Sequence, residues 1–235
     1  MGYLVKYVKE ISEKDCKCKA FYSHVQIVDI KKRANSIKNR ILNTSWINSL
    51  IPQVKNAYKT RAEETINRLV EDILSKVDTN VGSDFGEIMV SSTAVDTLCN
   101  NYYHKGVPLA ELWKEKISGN PAFDFHTETP SFFISFGEAK FNSKNNSYGK
   151  AMEQVSGFID KKKDTKEGSD LFNFISEKAF NNFDVFKLKA YSMSFSICGT
   201  ESQDAIIEKI KNNKYFEKLM KNAEELYFIG IEVCS

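Results

Sequence analysis

The chain has 235 residues, of which 42% are hydrophobic and 12% aromatic, and its formal net charge at pH 7 is +2. A chain of this length and composition can bury a sizeable core, which excludes an intrinsically disordered protein. The near balance of 33 basic and 31 acidic residues excludes a strongly basic nucleic-acid-binding module. The N-terminus lacks the apolar segment of a signal peptide, and no later segment has the ~20 apolar residues of a membrane span. We therefore expect a soluble cytoplasmic protein with no membrane contact.

Cysteine usage agrees with a reducing compartment. The five cysteines are an odd number and show no C-x-x-C spacing, which favours reduced thiols. The segment Cys16-Lys17-Cys18 is expected to be a polar surface segment rather than half of a metal site, since no second cysteine pair accompanies it.

The first half of the chain is predicted to contain one strand and two helices. In chain order the sequence predicts a strand over 21–29, a turn-prone connection over 46–53, an amphipathic helix over 54–77 and a second helix over roughly 84–103. The first helix depends on apolar residues at helical spacing, of which Ile66, Leu69 and Ile73 are examples. Asp84 is the expected N-cap of the second helix.

The second half alternates strands with helices. Residues 108–116 are ambiguous between a short helix and a strand, and residues 122–141 read as two strands joined by a turn at Thr129-Pro130. The elements expected after them are a helix over 148–160, a helix near 170–182, a strand near 185–197, a helix near 202–225 and a strand over 226–233. This alternation predicts an α/β domain with a mixed central sheet flanked by helices.

Two charged residues stand at the end of the apolar strand FFISFGEAKF. Glu138 and Lys140 are two residues apart, so their side chains point to the same face of the strand. Burying such charges is costly unless they pair with each other or bind something. The sequence thus leaves two alternatives at this point, a structural ion pair or a binding site.

A hairpin over 122–141 would bring Asp124 beside this strand end. Asp124, Glu138 and the Ala139 carbonyl are oxygen ligands of the kind that Mg²⁺ prefers, and Mn²⁺ is a plausible substitute. Lys140 would then stand beside a metal-activated water and next to the charge that develops on a scissile phosphate.

Asp124 followed by Glu138-Ala139-Lys140 resembles the PD-(D/E)XK, or restriction-endonuclease-like, superfamily. Its core runs helix, three strands, helix, strand, which is the order predicted here. The resemblance implies an additional acidic ligand on the preceding helix, at Glu87, and an orienting glutamine on the following helix, at Gln154. The superfamily proline is not adjacent to Asp124, since Pro121 lies three residues earlier.

A narrower resemblance is to the HamA family, the nuclease subunits of Hachiman anti-phage defence systems. The segments FGEIMV, AELWK, FDFHTE, FGEAKF and YGKAMEQV carry it, and they lie between about residues 80 and 160. The resemblance implies a DNA nuclease that forms a heterodimer with a HamB-like superfamily-two helicase. The absence of repeats, low-complexity tracts and Pro/Gly/Ser-rich linkers predicts one domain. We expect a nuclease core over 54–235 and an N-terminal extension over 1–53, which such a core does not need and which is a candidate partner interface. The alternative is a catalytically weak subunit that keeps the nuclease fold and regulates the helicase.

Each candidate residue also has a plain structural interpretation. Asp84 to Glu87 fits a capping box, Gln154 fits a buried glutamine bonded to main chain, and His126 fits an ordinary strand residue. Lys144 and Lys150 follow the site strand, where a DNA backbone would pass. The clusters Lys31-Lys32-Arg33 and Lys161-Lys162-Lys163 are expected to be solvated, and Trp46, Phe85 and Trp113 are expected to pack in the core.

Overall fold

A computed structural model describes residues 1–73, 82–114 and 122–233. Seven strands form a single sheet in the order β1-β2-β7-β6-β5-β4-β3. The strands are β1 (Tyr3–Glu10), β2 (Lys19–Ile27), β3 (Lys105–Gly106), β4 (Phe125–Glu128), β5 (Ile134–Lys140), β6 (Lys189–Ile197) and β7 (Glu225–Val233). The pairs β2/β7, β7/β6 and β6/β5 are parallel, whereas β1/β2, β5/β4 and β4/β3 are antiparallel.

Helices flank this sheet. They are α1 (Ile30–Leu42), α2 (Pro52–Arg68), α3 (Ser83–Asn101), α4 (Tyr148–Asp160), α5 (Lys163–Gly168), α6 (Glu177–Asp184), α7 (Gln203–Lys211) and α8 (Phe216–Lys221). Helices α3 and α4 both pack against β5 and β6 in the middle of the sheet. The predicted α/β class with a mixed central sheet is confirmed.

The core is centred on the parallel strands. Every residue of β6 from Ala190 to Ile197 is buried, as expected for a parallel strand that is covered on both faces. Helix α3 is buried around most of its circumference, and small residues such as Ser92 and Ala94 lie on it. A helix that carries few charges around its circumference belongs inside a protein, and α3 therefore forms part of the core. No helix within the described ranges is both long and apolar enough to cross a membrane.

The N-terminal segment 1–53 is an integral part of the sheet. Strand β2 pairs with β7 along its whole length, and β1 extends the sheet by one more strand. The sequence analysis predicted β2 but not β1, in which Leu4, Lys6 and Val8 are exposed. Such mixing of apolar and charged residues is compatible with an edge strand, because an edge strand need not be buried.

The predicted boundaries of several helices need correction. The helix predicted over 54–77 is α2 followed by a π-helical turn at Leu69–Ile73, and residues 74–81 lie outside the described ranges. Helix α3 has Gly82 and not Asp84 as its N-cap. The ambiguous segment 108–116 contains a 3₁₀ turn at Ala110–Leu112, and its residues beyond 114 lie outside the described ranges.

Two further boundaries were wrong in the C-terminal half. The helix predicted near 170–182 begins only at Glu177, because the Ser176 side chain caps α6 by accepting from the Ala179 amide. The helix predicted near 202–225 is broken into α7 and α8. The break lies at Asn213, whose side-chain oxygen accepts a hydrogen bond from the Tyr215 amide.

Three residues that were expected on the surface are buried. Arg33 is 1% exposed and donates from Nη1 to Asp96 (2.6 Å) and from Nε to Thr93 (3.0 Å). Lys163 and Cys18 are buried as well. The sequence alone could not show this for Arg33, because its partners are some sixty residues away on α3.

Candidate active site

The antiparallel pair β4/β5 brings Asp124 beside the charged end of β5. Asp124 directly precedes β4, and its amide donates to the Gly137 carbonyl at 2.9 Å. Its carboxylate oxygen Oδ2 accepts from the Ala139 amide at 2.8 Å. These two bonds fix Asp124 alongside Glu138 and Lys140, which is the arrangement that the hairpin predicts.

Glu138 is the most unusual residue of this group. Its side chain is 1% exposed, and its Oε1 lies 2.7 Å from the Lys140 ammonium. Neither carboxylate oxygen accepts a well-aligned hydrogen bond from the described residues. Burial, and then the nearby Asp124 carboxylate, hold the pKa of Glu138 well above its usual range, although Lys140 acts in the opposite direction. A buried carboxylate whose one close cationic partner is Lys140 and which has no aligned hydrogen-bond donor is costly to stability, and this makes Glu138 a candidate functional residue.

The pKa of the Asp124 carboxyl group is raised as well. Burial raises the pKa of Asp124 to about 7, and the Glu111 and Glu87 carboxylates add to this effect. The Ala139 amide and the Lys140 ammonium oppose it. The surroundings thus favour the protonated form of both carboxyl groups, and a cation bound between them would act in the opposite direction.

Lys140 is the cation at the centre of the site. Its Nζ lies 2.7 Å from Glu138 and 3.7 Å from Glu87. Burial lowers the pKa of Lys140, but the surrounding carboxylates raise it by more, so the side chain is an ammonium at neutral pH. The Glu138–Lys140 ion pair, which was one of the two alternatives from the sequence, is thus present. It lies among more carboxylates than one ammonium can neutralise.

A cleft of about 200 Å³ opens beside Asp124. It is lined by Arg68, Leu69, Asp84, Glu87, Ile88, Ser91, Glu111 and Asp124. Sequence reasoning missed Glu111 and Arg68 as cleft residues. Glu111 belongs to the 3₁₀ turn, and Arg68 ends α2 just before the π-helical turn. No linear spacing connects either residue with Asp124, and only the fold brings them together.

The superfamily resemblance implies two further site residues, Glu87 and Gln154, and only Glu87 lines the cleft. Glu87 lies in the first turns of α3 and lines the cleft beside Lys140. The capping box proposed as its structural role is absent, because Gly82 is the N-cap and no side chain caps this helix. Gln154 is half-buried on α4, and among the described residues its side chain makes no hydrogen bond to Asp124 or Glu138.

The two candidate DNA-binding lysines are exposed. Lys144 lies in the loop after β5, where the Asn142 side chain accepts from the amides of Lys144 and Asn145 at 2.8 and 3.1 Å. Lys150 lies in the first turn of α4. Both positions follow the site strand, and the loop that connects them is held in place by hydrogen bonds.

His126 and the large aromatic residues have structural roles. His126 is fully buried and lies 3.2 Å from Glu167, away from the cleft. Burial lowers the pKa of His126 to about 4, so its ring is neutral at physiological pH. Phe85 and Trp113 are buried, and Trp46 packs against Tyr58.

The donor set suits a hard cation. Glu138 offers two buried oxygens without aligned donors, and Asp124 stands on the neighbouring strand. The Ala139 carbonyl points to the Asp124 side, because the amide and carbonyl of a strand residue point in the same direction. No three His, Cys, Asp or Glu side chains in the described ranges converge closely enough to hold a metal ion by themselves. A cation here would complete its coordination with water and substrate oxygens, which is usual for Mg²⁺.

Comparison with known proteins does not assign the chain to a family. No protein-family model matches it, and no curated protein is significantly similar to it in sequence.

Proposed function

We propose that this chain is a Mg²⁺-dependent deoxyribonuclease of the PD-(D/E)XK type, with Mn²⁺ as a substitute metal. The observation that carries the proposal is Glu138, a buried carboxylate without aligned hydrogen-bond donors, flanked by Asp124 and Lys140 at the end of a central strand. The element order supports it, because α3, β3, β4, β5, α4 and β6 occur along the chain as helix, three strands, helix, strand, with α5 and α6 inserted between α4 and β6.

The residues present suit hydrolysis of a phosphodiester. Asp124, Glu138 and the Ala139 carbonyl would hold the metal, with Glu87 as an outer acidic ligand. When bound, the metal lowers the pKa of a water molecule and neutralises charge on the phosphate. Lys140 donates a hydrogen bond to the attacking water and keeps it beside the phosphorus. The water gives up a proton to solvent as its oxygen bonds to phosphorus, the bond to the leaving sugar oxygen breaks, and that oxygen takes up a proton from solvent.

Further residues would contact the substrate. Arg68 lines the cleft, and no ion pair of Arg68 is found among the described residues, although four carboxylates line the same cleft. It is therefore available to a phosphate group. Lys144 and Lys150 would contact the DNA backbone farther along, and Gln154 would orient substrate from α4.

The partner proposed for this nuclease is a HamB-like helicase, within a bacterial anti-phage defence complex. A net charge of +2 gives the chain little general affinity for DNA, because such affinity comes largely from neutralised phosphates. A helicase that grips DNA would deliver a strand to the cleft and restrain cutting until then. Within the candidate interface 1–53, strand β1 is the edge of the sheet and exposes Leu4 and Val8. An edge strand of this kind can pair with a strand of a partner.

A digest of DNA tests the proposal. The purified chain, alone and with its copurified partner, is incubated with single-stranded and double-stranded DNA in Mg²⁺, Mn²⁺, Ca²⁺ or excess chelator. We expect cleavage with Mg²⁺ or Mn²⁺ only, because the longer bonds and looser geometry of Ca²⁺ misplace the attacking water. Full activity in chelator would refute the metal mechanism. Absence of cleavage under all conditions, with the partner present, would favour the alternative of a non-catalytic regulatory subunit.

A further inference from the structure

A second cluster of buried titratable groups lies directly behind Asp124. It consists of Lys114, His126 and Glu167, whose side chains are 11%, 0% and 9% exposed. Glu167 Oε2 accepts from the Lys114 ammonium at 2.5 Å and lies 3.2 Å from His126 Nε2. These groups come from three separate parts of the fold: the segment after the Ala110–Leu112 turn, strand β4 and helix α5.

The cluster holds the main chain of one residue, Phe123, at both of its polar groups. The Phe123 amide donates to Glu167 Oε1 at 3.1 Å, and the Phe123 carbonyl accepts from Lys114 Nζ at 3.0 Å. The next residue in the chain is Asp124. Its carboxylate is in turn held by the Ala139 amide at 2.8 Å. A continuous series of short contacts therefore runs from α5 to the carboxylate that faces the cleft.

Stability alone explains this arrangement poorly. Phe123 is already fixed by its ring, which packs against the rings of Phe136 and Phe158 at centroid distances of 5.2 and 4.8 Å. A buried ion pair is weak evidence for stability, because removing both charges from water offsets their attraction. Residues behind metal-binding carboxylates commonly have a different role, since they hold the ligands in the geometry that the metal needs.

We propose that Glu167 and Lys114 are positioning residues, which set the place of the Asp124 carboxylate by holding the amide and the carbonyl of Phe123. The role of that carboxylate as a metal ligand rests on the function proposed above. The position of the Asp124 carboxylate does not depend on that function, and it can be measured separately.

The test compares Glu167→Ala with Glu128→Ala. Glu128 is a matched control because it is also a buried glutamate bonded to a main-chain amide, that of Ser176 at 2.7 Å, but it lies at the opposite end of β4. The first readout is hydrogen exchange of the Ala139 amide relative to the other amides of β5. The second is the affinity of the DNA-free protein for Mn²⁺, measured by titration calorimetry.

We expect Ala139 exchange in Glu167→Ala to be at least about tenfold faster than in Glu128→Ala, relative to the rest of β5. Mn²⁺ affinity should fall on the order of tenfold, which is the usual cost of losing an outer partner of a metal ligand. A purely structural role would speed exchange of all β5 amides alike and leave Mn²⁺ affinity at the control value, and this result would overturn the proposal.

A second variant covers the case in which Glu167→Ala does not fold. Lys114→Met removes the donor to the Phe123 carbonyl together with the ion pair to Glu167, and leaves the Glu167 contacts to the Phe123 amide and to His126 in place. It should produce the same selective change at Ala139 with a smaller amplitude, and exchange unchanged from the control would count against the proposal. If the parental protein binds no Mn²⁺ the proposed function fails, while the Ala139 exchange still decides whether Glu167 and Lys114 position Asp124.

Discussion

Two buried glutamates on neighbouring strands have opposite surroundings. Glu128 on β4 accepts from the Ser176 amide at 2.7 Å and from the Ser176 hydroxyl at 2.6 Å, and so holds the start of α6. Glu138 on β5 has no aligned donor in the described ranges, and other carboxylates stand near it. The two glutamates are buried to a similar extent, but the Glu128 carboxylate accepts aligned hydrogen bonds and the Glu138 carboxylate does not. Hydrogen-bond satisfaction, rather than burial, thus separates a structural glutamate from a candidate functional one.

The sharpest test of this comparison is catalytic. Glu138→Gln should reduce DNA cleavage on the order of 10³-fold or more, because several kcal/mol of transition-state stabilisation depend on the metal that Glu138 holds. Glu128→Gln should cut at about the parental rate. Single-turnover cleavage with saturating Mg²⁺ measures both variants, and a Glu138→Gln variant with parental activity would remove this residue from the mechanism.

For stability we expect the opposite ranking, with a larger loss from substitution of Glu128 than from substitution of Glu138. Glu128→Ala leaves the Ser176 amide and hydroxyl without partners at a helix start, so we expect a loss of about 3 kcal/mol in the free energy of unfolding. The double variant E138A/K140A removes a poorly satisfied ion pair and should leave the melting temperature unchanged or higher. Urea titration and thermal unfolding provide the values. If E138A/K140A fails to fold, the structural ion pair is the better interpretation of this strand end.

Arg68 tests whether the cleft binds phosphate. Arg68→Ala should weaken DNA binding about tenfold in Ca²⁺ buffer, where binding is separated from cutting, and should reduce the salt dependence of the affinity by about one counterion. Arg61→Ala on the same helix is the control, because Arg61 packs over the Tyr58 ring and does not line the cleft. Equal affinities of the two variants would exclude Arg68 from the DNA-binding surface.

The smallest expected effect is on the pH dependence of stability. The folded pKa of Asp124 is raised to about 7, so the stability that this group contributes is fully present below its unfolded value near 4 and is lost as the pH rises through 7. Asp124→Asn stays neutral at every pH. Its melting temperature, in metal-free buffer, should match the parental one near pH 4 and exceed it by a few degrees above pH 7. The effect is moderated because Asp124 is only half-buried and water screens it. A difference in melting temperature that does not change with pH would show that the pKa of Asp124 is not raised in the folded protein.

The central hairpin and its charges were predictable from sequence because their signals are local. The turn at Thr129-Pro130 and the strand periodicity determine the pairing of β4 with β5, and this pairing brings Asp124 to Glu138. Helix α4 was predicted with the observed ends for the same reason. The joining of β2 to β7 has no such local signal, because pairing between distant strands leaves no periodic pattern in either strand.

The surroundings of the site were not predictable. Glu111 reaches the cleft from a three-residue 3₁₀ turn, and Glu167 reaches Phe123 from the six-residue helix α5. Elements this short have no periodicity to read. Arg33 was misjudged because three consecutive basic residues usually lie in solvent, whereas here α1 turns one of them toward Asp96.

The place of β7 has a consequence for folding kinetics. This strand lies between β2 and β6, so the sheet closes only when a segment near residue 20 meets one near residue 230. Closing such a long loop costs conformational entropy before the stabilising contacts can form. Chains with many contacts between distant residues therefore fold slowly. Until β7 arrives, β2 and β6 present open apolar edges. We expect refolding from urea on the order of seconds, with a yield that falls as protein concentration rises because open edges associate between chains.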